Sequence, residues 1–438
     1  MFSKIIIILA VNILLYAKTL KLGYVSDDLP TFKNPPVMKT KWDKIFRWVM
    51  GQYKSCPKYD HLLTTIIHAV ISAFIYLAFG ANHISYIAAM LFSCNPANNQ
   101  VSIWISGRGY ALTALILLSA MSIPYVAPAI LLMIGYFNVG YFAPLALIGS
   151  TKYQLLWMLP VIWWTWRRKF KKDFLLKIGV ETVVEDSKIH LKKLILAIKT
   201  MGFYLTLCLI PFRLTFYHSF LQSCAGNDIM KKRAYSFDKF FWFGMTAIGV
   251  FVWLWITQGW SITTYGMFWF FVSIAPFSNF RRFQQEIADR YMYLPNIGLM
   301  IALASLIHTY PILIVLFMTM YISRLIPIMH MYTDDYWLVE MCVNEDPGAW
   351  YAWHIRGFKR WDNKSYREAL TMWVMAKLLD PKEFKILFNI SIVLRLLKQY
   401  AEADAYLKMA EDNIIEGQEE AAKALIAEYR SGRARMLL

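Results

Sequence analysis

The chain has 438 residues, of which 58% are hydrophobic and only 17% are charged. A soluble globular protein needs a more highly charged surface, so this composition argues against a soluble enzyme. The formal net charge is +17, and its basic residues lie in short segments between apolar runs. That pattern favours anionic lipid headgroups as partners, and we expect no nucleic-acid partner because no nucleic-acid-binding module is present.

The apolar residues form runs long enough to span a bilayer, about 20 residues each. The first run continues to Ala17, and no small-residue cleavage site follows it. We therefore interpret it as an uncleaved membrane helix rather than a signal peptide. The predicted fold class is all-α, a polytopic membrane helix bundle with about eleven transmembrane helices. The expected crossings lie near 5–20, 61–79, 83–95, 108–121, 123–148, 150–166, 194–216, 239–258, 260–277, 297–308 and 311–330.

The positions of the basic residues set the expected orientation in the membrane. The cluster Arg167–Lys172 directly follows a predicted crossing, so the positive-inside rule places 167–193 in the cytoplasm. Loop 18–60 holds as many basic residues, but it is longer and therefore counts for less. Each crossing moves the chain to the opposite side of the membrane, so counting crossings from 167–193 assigns a side to every other segment. The segments expected on the periplasmic or lumenal side are 18–60, 96–107, 217–238, 278–296 and the region after 332. The membrane would be a bacterial inner membrane or one of the endoplasmic-reticulum type.

An internal repeat of 34 residues begins after the last predicted crossing. Tyr366 and Ala369 recur as Tyr400 and Ala403, in a region where charged residues become frequent. A 34-residue period with alanines at helix contacts resembles the tetratricopeptide repeat. The expected domains are a transmembrane domain at 1–332, a short helical-repeat domain at 333–432 and a loose tail at 433–438.

Two adjacent carboxylates, Asp27 and Asp28, follow the first predicted crossing. Like charges so close together raise each other's pKa, and partial desolvation raises it further. Such a group suits the role of a general base that takes a proton from a hydroxyl group. The alternative is a solvated turn that has no chemical role.

The polar segment that starts at Asn95 follows an unusually short apolar run. Irregular backbone at membrane depth is tolerated only inside protein or beside a wet cavity, so this segment predicts a broken helix. Asn98, Gln100 and Trp104 are candidate pocket residues. Arg108 is a candidate phosphate ligand because a guanidinium binds phosphate oxygens in pairs, and a snorkelling arginine is the alternative.

His61 and His68 lie seven residues apart on one face of a predicted helix. His68 is inside an apolar run, where ionisable groups are uncommon and often functional, so it is a candidate pocket residue. A hydrogen-bonded packing histidine is the alternative. No third ligand follows at a metal-binding spacing, so we predict no metal site, although the acidic pair could recruit a divalent cation.

The loop 278–296 combines arginines, carboxylates and aromatic residues. Arg290 is a second candidate phosphate ligand, and Asp289 and Tyr293 are candidate pocket residues beside it. The alternative is an ordinary basic and aromatic membrane anchor. Considered together with the acidic pair and the polar segment, this loop predicts carboxylates and arginines on one side of the membrane, where an anionic lipid headgroup could react.

In their order along the chain, these motifs resemble those of the transmembrane-and-tetratricopeptide O-mannosyltransferases and their bacterial relatives, within the GT-C class of glycosyltransferases. The resemblance rests on the acidic pair, the two histidines, the N-P…V-x-W-x-x-G-R segment at 95–108, the ADRYMYLP segment at 288–295 and the repeats after the last crossing. It covers nearly the whole chain. The chain departs from the family pattern in several places. It has few repeats, and Asn95-Pro96 stands where the family usually has His-Pro. Asn98-Asn99-Gln100 stands in place of a His-Thr-Glu-like stretch, and Phe137–Gly140 stands in place of a Ser-Lys-Glu element.

The resemblance implies transfer of a mannose-like sugar from a polyprenyl- or dolichyl-phosphate donor to a hydroxyl of a protein or glycan acceptor, with no required cofactor. Asp27 or Asp28 would be the base, Arg108 and Arg290 would bind the phosphate, and the repeats would present a surface to the acceptor. Two alternatives stay open. One is a polymerase or ligase of lipid-linked glycans, and the other is a non-catalytic membrane scaffold whose repeats bind a partner.

Overall fold

The computed structural model describes residues 1–122, 190–221, 232–279, 286–414, 419–431 and 436–437. These residues form eighteen α-helices joined by loops and short 3-10 turns, and none of them lies in a β-strand. The all-α prediction is confirmed. The chain divides into two compact units, which are Met1–Leu214 with Phe237–Asp335, and Thr215–Ser236 with Tyr336–Leu438.

The described helices of the first unit are α1 (Phe2–Leu15), α2 (Asp28–Lys33), α3 (Lys41–Val49), α4 (Pro57–Ala78), α5 (His83–Cys94), α6 (Asn99–Ser102), α7 (Arg108–Ser122), α8 (His190–Leu209), α9 (Lys239–Gln258), α10 (Ile262–Ile274), α11 (Tyr293–Ile307) and α12 (Pro311–Met329). Short 3-10 turns extend several of them, at Ala17–Lys21, Pro96–Asn98, Ile105–Gly107, Ala275–Phe277, Asp289–Met292 and His330–Tyr332.

Long apolar helices dominate the first unit. Within the described parts of the chain, five stretches are long and apolar enough to cross a membrane, and these are Phe2–Lys21, Pro57–Ala78, Lys232–Gln258, Asp289–Ile307 and Pro311–Tyr332. A sixth is broken, because Pro96–Ser102 and Ile105–Ser119 pass the same test together but are bent by 93°. This set of helices indicates a multi-pass integral membrane protein.

The other predicted crossings have different outcomes. α5 and Ile262–Phe277 are apolar but shorter than a full span. α8 ends at Leu209 rather than near 216, because Pro211 cannot continue the helix and restricts the residue before it. The predicted crossings at 123–148 and 150–166, together with Arg167–Lys172, lie outside the described residues.

Paired glycines allow helices of the first unit to approach closely. A Cβ at Gly202 on α8 would overlap the backbone of α9, and one at Gly244 on α9 would overlap the backbone of α8. Gly266 on α10 and Gly298 on α11 form a second pair of the same kind. Small residues at such crossings let membrane helices pack backbone against backbone, where van der Waals contact holds them together.

The second unit is a succession of amphipathic helices. α13 (Asp335–Glu345) leads into it, and its further described helices are α14 (Trp350–Asp362), α15 (Tyr366–Leu379), α16 (Phe384–Leu396), α17 (Tyr400–Glu411) and α18 (Glu419–Arg430). The alanines of the 34-residue repeat are fully buried, namely Ala369, Ala376, Ala403 and Ala410. Gly357 permits close contact between α14 and α15, because a Cβ there would overlap the Trp373 indole.

Part of the tail that was predicted to be loose is bound in the structure. Of residues 433–438, the structure describes Met436 and Leu437, and both are half-buried. The backbone of Leu437 is hydrogen-bonded to the side chain of Asn389 on α16.

Candidate functional site

The three segments that the sequence analysis grouped together lie side by side in the first unit. Asp28 accepts hydrogen bonds from the turn before α7, and Arg290 donates to Gln100 in the broken segment. A fourth segment, 48–60, completes the site, although no motif in its sequence predicted a role for it. It supplies Lys54 and Asp60, which pair with groups from the other segments.

Asp28 is buried, and its carboxylate is surrounded by donors. Lys54 Nζ lies 2.8 Å from Oδ1, and Ser106 Oγ donates to the same oxygen at 2.6 Å. The backbone N–H groups of Ser106 and Ile105 donate at 3.0 and 3.3 Å. Backbone N–H groups at the start of a helix stabilise negative charge. Asp28 is therefore a fixed, paired anion.

Lys54 is the cation of this pair, and no sequence motif indicated it. Its side chain is fully buried, and Nζ also donates to the Gly51 carbonyl and to Ser106 Oγ. Burial lowers the pKa of Lys54, while the negative charge of Asp28 acts to raise it. Gly51 makes this placement possible, because it has a φ of 71° and a Cβ there would overlap the Ile105 carbonyl.

Asp27 differs from its neighbour because its side chain is exposed and does not cap α2. The pKa of Asp27 is raised above that of an ordinary aspartate. The larger cause is that the surrounding protein keeps water from the carboxylate, and the second is the negative charge of Asp28. The positive charges of Arg290 and Lys54 act in the opposite direction. Of the two carboxylates, Asp27 is the one that an external hydroxyl group can reach.

Arg108 is fully buried, and the protein itself supplies its acceptors. Nε donates to Thr64 Oγ1 at 2.7 Å, Nη1 donates to the Trp48 carbonyl at 2.6 Å and Nη2 donates to the Asp60 carbonyl. The Asp60 carboxylate lies 3.7 Å from Nη2. This geometry favours a positioning role, in which Arg108 ties α7 to α3 and α4.

Asp60 is a second buried carboxylate that was not among the residues predicted from the sequence. Tyr24 Oη donates to it at 2.6 Å and the Ser55 N–H at 2.9 Å, while Trp48 Nε1 donates to the other oxygen. The available sequence signal was a single acidic residue at the start of an apolar run, next to His61. Asp60 thus connects the segment between α1 and α2, through Tyr24, with the loop before α4 and, through Arg108, with α7.

Buried amide groups stabilise the broken segment. Asn98 accepts a hydrogen bond from Asn296 Nδ2 at 3.0 Å and donates to the Phe92 carbonyl at 2.9 Å. Asn99 donates to Asp289 Oδ2 at 2.9 Å. These bonds satisfy polar groups that a bent helix would otherwise leave unpaired in an apolar environment. The candidate pocket residues Asn98 and Asp289 are therefore buried within the protein.

Arg290 is half-buried and lies beside Gln100 and Trp104. The Gln100 side-chain oxygen accepts hydrogen bonds from the Arg290 backbone N–H at 3.3 Å and from Nη1 at 3.2 Å. The guanidinium carbon is 5.8 Å from the centre of the Trp104 ring and 5.0 Å from that of Tyr291. Arg290 is also close enough to affect the pKa of Asp27. A partly accessible cation thus accompanies the accessible carboxylate.

The two histidines hold α4 against its neighbours. His68 Nδ1 lies 2.7 Å from Tyr293 Oη, and the His68 ring packs against Tyr16 and Phe92 at centroid distances of 5.1 and 5.4 Å. His61 Nε2 lies 3.0 Å from the Gly23 carbonyl. Both arrangements fit the packing alternative. Among the described residues, no three or more His, Cys, Asp or Glu side chains are placed to hold a metal ion.

An apolar pocket of about 440 Å³ lies between α3 and the start of α4. Ile45, Leu62 and Ile66 line it, together with the basic residue Lys44. Trp48 belongs to the lining and also donates to Asp60, so the pocket adjoins the polar site. An apolar cleft with a basic residue beside it suits a hydrocarbon chain that carries an anionic group.

Comparison of the chain with known proteins finds no matching family model, no matching curated protein and no matching solved structure. The resemblance to the GT-C glycosyltransferases therefore rests on the motifs and their order along the chain.

Proposed function

We propose that the chain is a GT-C type membrane glycosyltransferase that moves a sugar from a polyprenyl- or dolichyl-phosphate donor to a hydroxyl group of a protein or glycan. The observation that carries this proposal is the exposed Asp27, whose pKa is raised, at the same site as the half-buried Arg290. A general base for a hydroxyl and a cation for a phosphate are the two groups that such a transfer requires.

In the proposed reaction, Asp27 takes the proton of the acceptor hydroxyl as its oxygen attacks the anomeric carbon of the donor sugar. The bond between that carbon and the phosphate oxygen breaks, and the lipid phosphate leaves with the electron pair. Direct displacement inverts the configuration of the sugar. Arg290 stabilises the negative charge of the departing phosphate.

Asp28, Lys54 and Arg108 would act by holding the site together. The Asp28 charge raises the pKa of Asp27, and the 2.8 Å ion pair with Lys54 fixes that charge in place. Arg108 keeps the start of α7 against α4, and with it the preceding turn, whose N–H groups donate to Asp28. We therefore assign phosphate binding to Arg290 and a positioning role to Arg108.

The pocket between α3 and α4 gives the donor lipid a place beside this chemistry. Its apolar lining, including Ile45 and Leu62, suits an isoprenoid chain, and Lys44 adds a positive charge near the expected phosphate. We further propose that the bundle has eleven crossings with this site on the periplasmic or lumenal side, and that the second unit consists of tetratricopeptide repeats.

The proposal is tested by incubating the purified full chain with a panel of radiolabelled polyprenyl-phosphate sugars and with peptide and glycan acceptors. We expect a single sugar to appear on the acceptor. A long lipid-linked polymer would instead identify a polymerase. No transfer from any donor, with the protein folded, would contradict the enzyme proposal and support the membrane scaffold.

A further inference from the structure

Ser26, which directly precedes the acidic pair, has a backbone conformation that is uncommon for serine. Its φ is 53°, in the left-handed region, where the Cβ of a side chain is crowded against the backbone. A residue other than glycine keeps such a conformation only where its surroundings fix it, and residues of this kind collect at functional sites. Because Asp27 comes next, the conformation of Ser26 sets the path of the chain on which the Asp27 carboxylate is presented.

The side chain of Asp335 fixes Ser26 from a distant part of the sequence. Asp335 Oδ1 accepts the Ser26 N–H at 2.6 Å, across a separation of 309 residues. Both residues belong to the first unit, in which Asp335 is the first residue of α13. Hydrogen bonds to a carboxylate are shorter and stronger than those between neutral groups, so this contact suits a backbone that must be held in an unfavourable conformation.

A second contact holds the same stretch of chain three residues earlier. The Gly23 N–H donates to the Thr333 carbonyl at 3.2 Å, and a Cβ at Gly23 would lie only 3.0 Å from that carbonyl oxygen. On the other side, His61 Nε2 lies 3.0 Å from the Gly23 carbonyl. The segment 23–26 is thus held against 333–335 at both of its ends.

We infer that Asp335 is a positioning residue for the transfer reaction, which fixes the turn at Ser26 and thereby holds the Asp27 carboxylate where the acceptor hydroxyl group binds. The inference rests on the proposed function, because it takes Asp27 to be the base. Asp335 would act through the backbone of Ser26 and would not exchange a proton with the substrate. Accurate placement matters here, because a displacement of about 1 Å can slow a reaction about 100-fold.

The charge of Asp335 has a separate effect on Asp27. Exclusion of water by the surrounding protein is the largest cause of the raised pKa of Asp27, and the negative charges of Asp28 and Asp335 raise that pKa further. The positive charges of Arg290 and Lys54 lower it. Position and charge can be separated experimentally. Asp335→Asn removes the charge but keeps an oxygen that can accept the Ser26 N–H, whereas Asp335→Ala removes both.

Hydrogen–deuterium exchange of the full chain in detergent, resolved to single amides, tests the contact without any substrate. In Asp335→Ala the Ser26 amide should exchange at least about tenfold faster than in the unmodified chain, because its acceptor is lost. Asp335→Asn and the exposed control Asp362→Ala should keep it protected. Unchanged exchange of the amides of α11 shows that each variant is folded. Equal protection of Ser26 in Asp335→Ala and the unmodified chain would overturn the inference.

Transfer kinetics of the same variants distinguish positioning from a purely structural role. Asp335→Ala should lower kcat at least about tenfold and leave the KM for the lipid donor unchanged, because the base is misplaced while the donor site is intact. Asp335→Asn should restore most of kcat well above the pKa of Asp27. Its kcat/KM should begin to fall at a lower pH than that of the unmodified chain, because one negative charge beside Asp27 is gone.

The outcomes separate this inference from the proposed function. An unchanged kcat in Asp335→Ala, with the Ser26 amide open to exchange, would overturn the positioning role and leave the proposed function standing. A loss of kcat in Asp335→Asn equal to that in Asp335→Ala would also overturn it, because the hydrogen bond is retained in the asparagine variant. No transfer by the unmodified chain, with Ser26 protected as expected, would overturn the proposed function and the inference with it.

Discussion

Asp27 and Asp28 are neighbours in the chain, yet they have opposite environments. Asp28 is surrounded by Lys54, Ser106 and the N–H groups before α7, whereas Asp27 is exposed and its pKa is raised. The sequence indicated a reactive acidic pair but did not indicate which member was accessible. That distinction arises from contacts with residues far along the chain.

The first prediction concerns stability. Asp28→Asn should lower the free energy of unfolding by about 3–5 kcal/mol, because it leaves Lys54 as a buried charge without its partner. Asp27→Asn should change it by less than about 0.5 kcal/mol, as expected for an exposed side chain. Urea unfolding in detergent measures both. Similar losses for the two variants would contradict the assignment of Asp28 as the structural carboxylate.

The second prediction concerns the pH dependence of the proposed sugar transfer. The base must be deprotonated, so kcat/KM should fall as the pH decreases through the pKa of Asp27, which lies above the value of about 4 for an ordinary aspartate. Arg290 lowers that pKa, so Arg290→Gln should move the acidic limb to higher pH. If the pH at which kcat/KM falls is unchanged in Arg290→Gln, or is lower, then Arg290 does not lower the pKa of the base.

The third prediction concerns His354. Burial lowers the pKa of His354 to about 3, so the folded state excludes a proton that the unfolded state binds below about pH 6.5. The stability of the second unit should be fully present above pH 6.5 and decrease as the pH falls towards 3, by about 2 kcal/mol at pH 5. His354→Leu should remove this dependence of the unfolding free energy on pH. His83→Leu, at an exposed position, should leave the dependence unchanged. Urea unfolding at a series of pH values, followed by limited proteolysis, measures the free energy of unfolding. The same pH dependence in His354→Leu as in the unmodified chain would contradict the assignment of this effect to His354.

At the scale of elements, the broken segment shows what the sequence could predict. Its polar residues and the short run before it predicted irregular backbone at membrane depth, and the structure has a 93° bend there. The asparagine contacts that hold the bend could not be predicted, because Asn296 and Asp289 belong to a distant segment. Lys54 was missed for the same reason, since nothing local distinguishes it from the other lysines of its loop.

The fourth prediction concerns the glycine after the bend. A Cβ at Gly107 would overlap the Gln100 carbonyl, whereas one at Gly109 would meet nothing within 4 Å. Gly107→Ala should therefore lower the free energy of unfolding by about 1–3 kcal/mol, as overpacked sites do. Gly109→Ala should be neutral or stabilising, because alanine favours a helix. Equal effects in thermal unfolding would contradict close backbone packing at the bend.

At the scale of the whole molecule, composition was the most informative part of the sequence. Long apolar runs predicted an all-α membrane bundle because a bilayer requires the backbone of each crossing to satisfy its own hydrogen bonds. The number of crossings was harder to predict. α5 and α10 are apolar but short, and hydropathy does not distinguish a buried short helix from a full span. The 34-residue period likewise identified the buried alanines of the second unit, but it did not indicate that Leu437 would pair with Asn389.

The most direct test of the proposed function is single-turnover transfer of radiolabelled sugar by Asp27→Asn, compared with the unmodified chain and with Asp404→Asn, the same substitution at an exposed position of α17. We predict that Asp27→Asn folds normally and loses transfer by about 100-fold or more, which is the contribution expected of a general base. Asp404→Asn should transfer sugar at the unmodified rate. Transfer by Asp27→Asn at that same rate would contradict the assignment of the site and of its base.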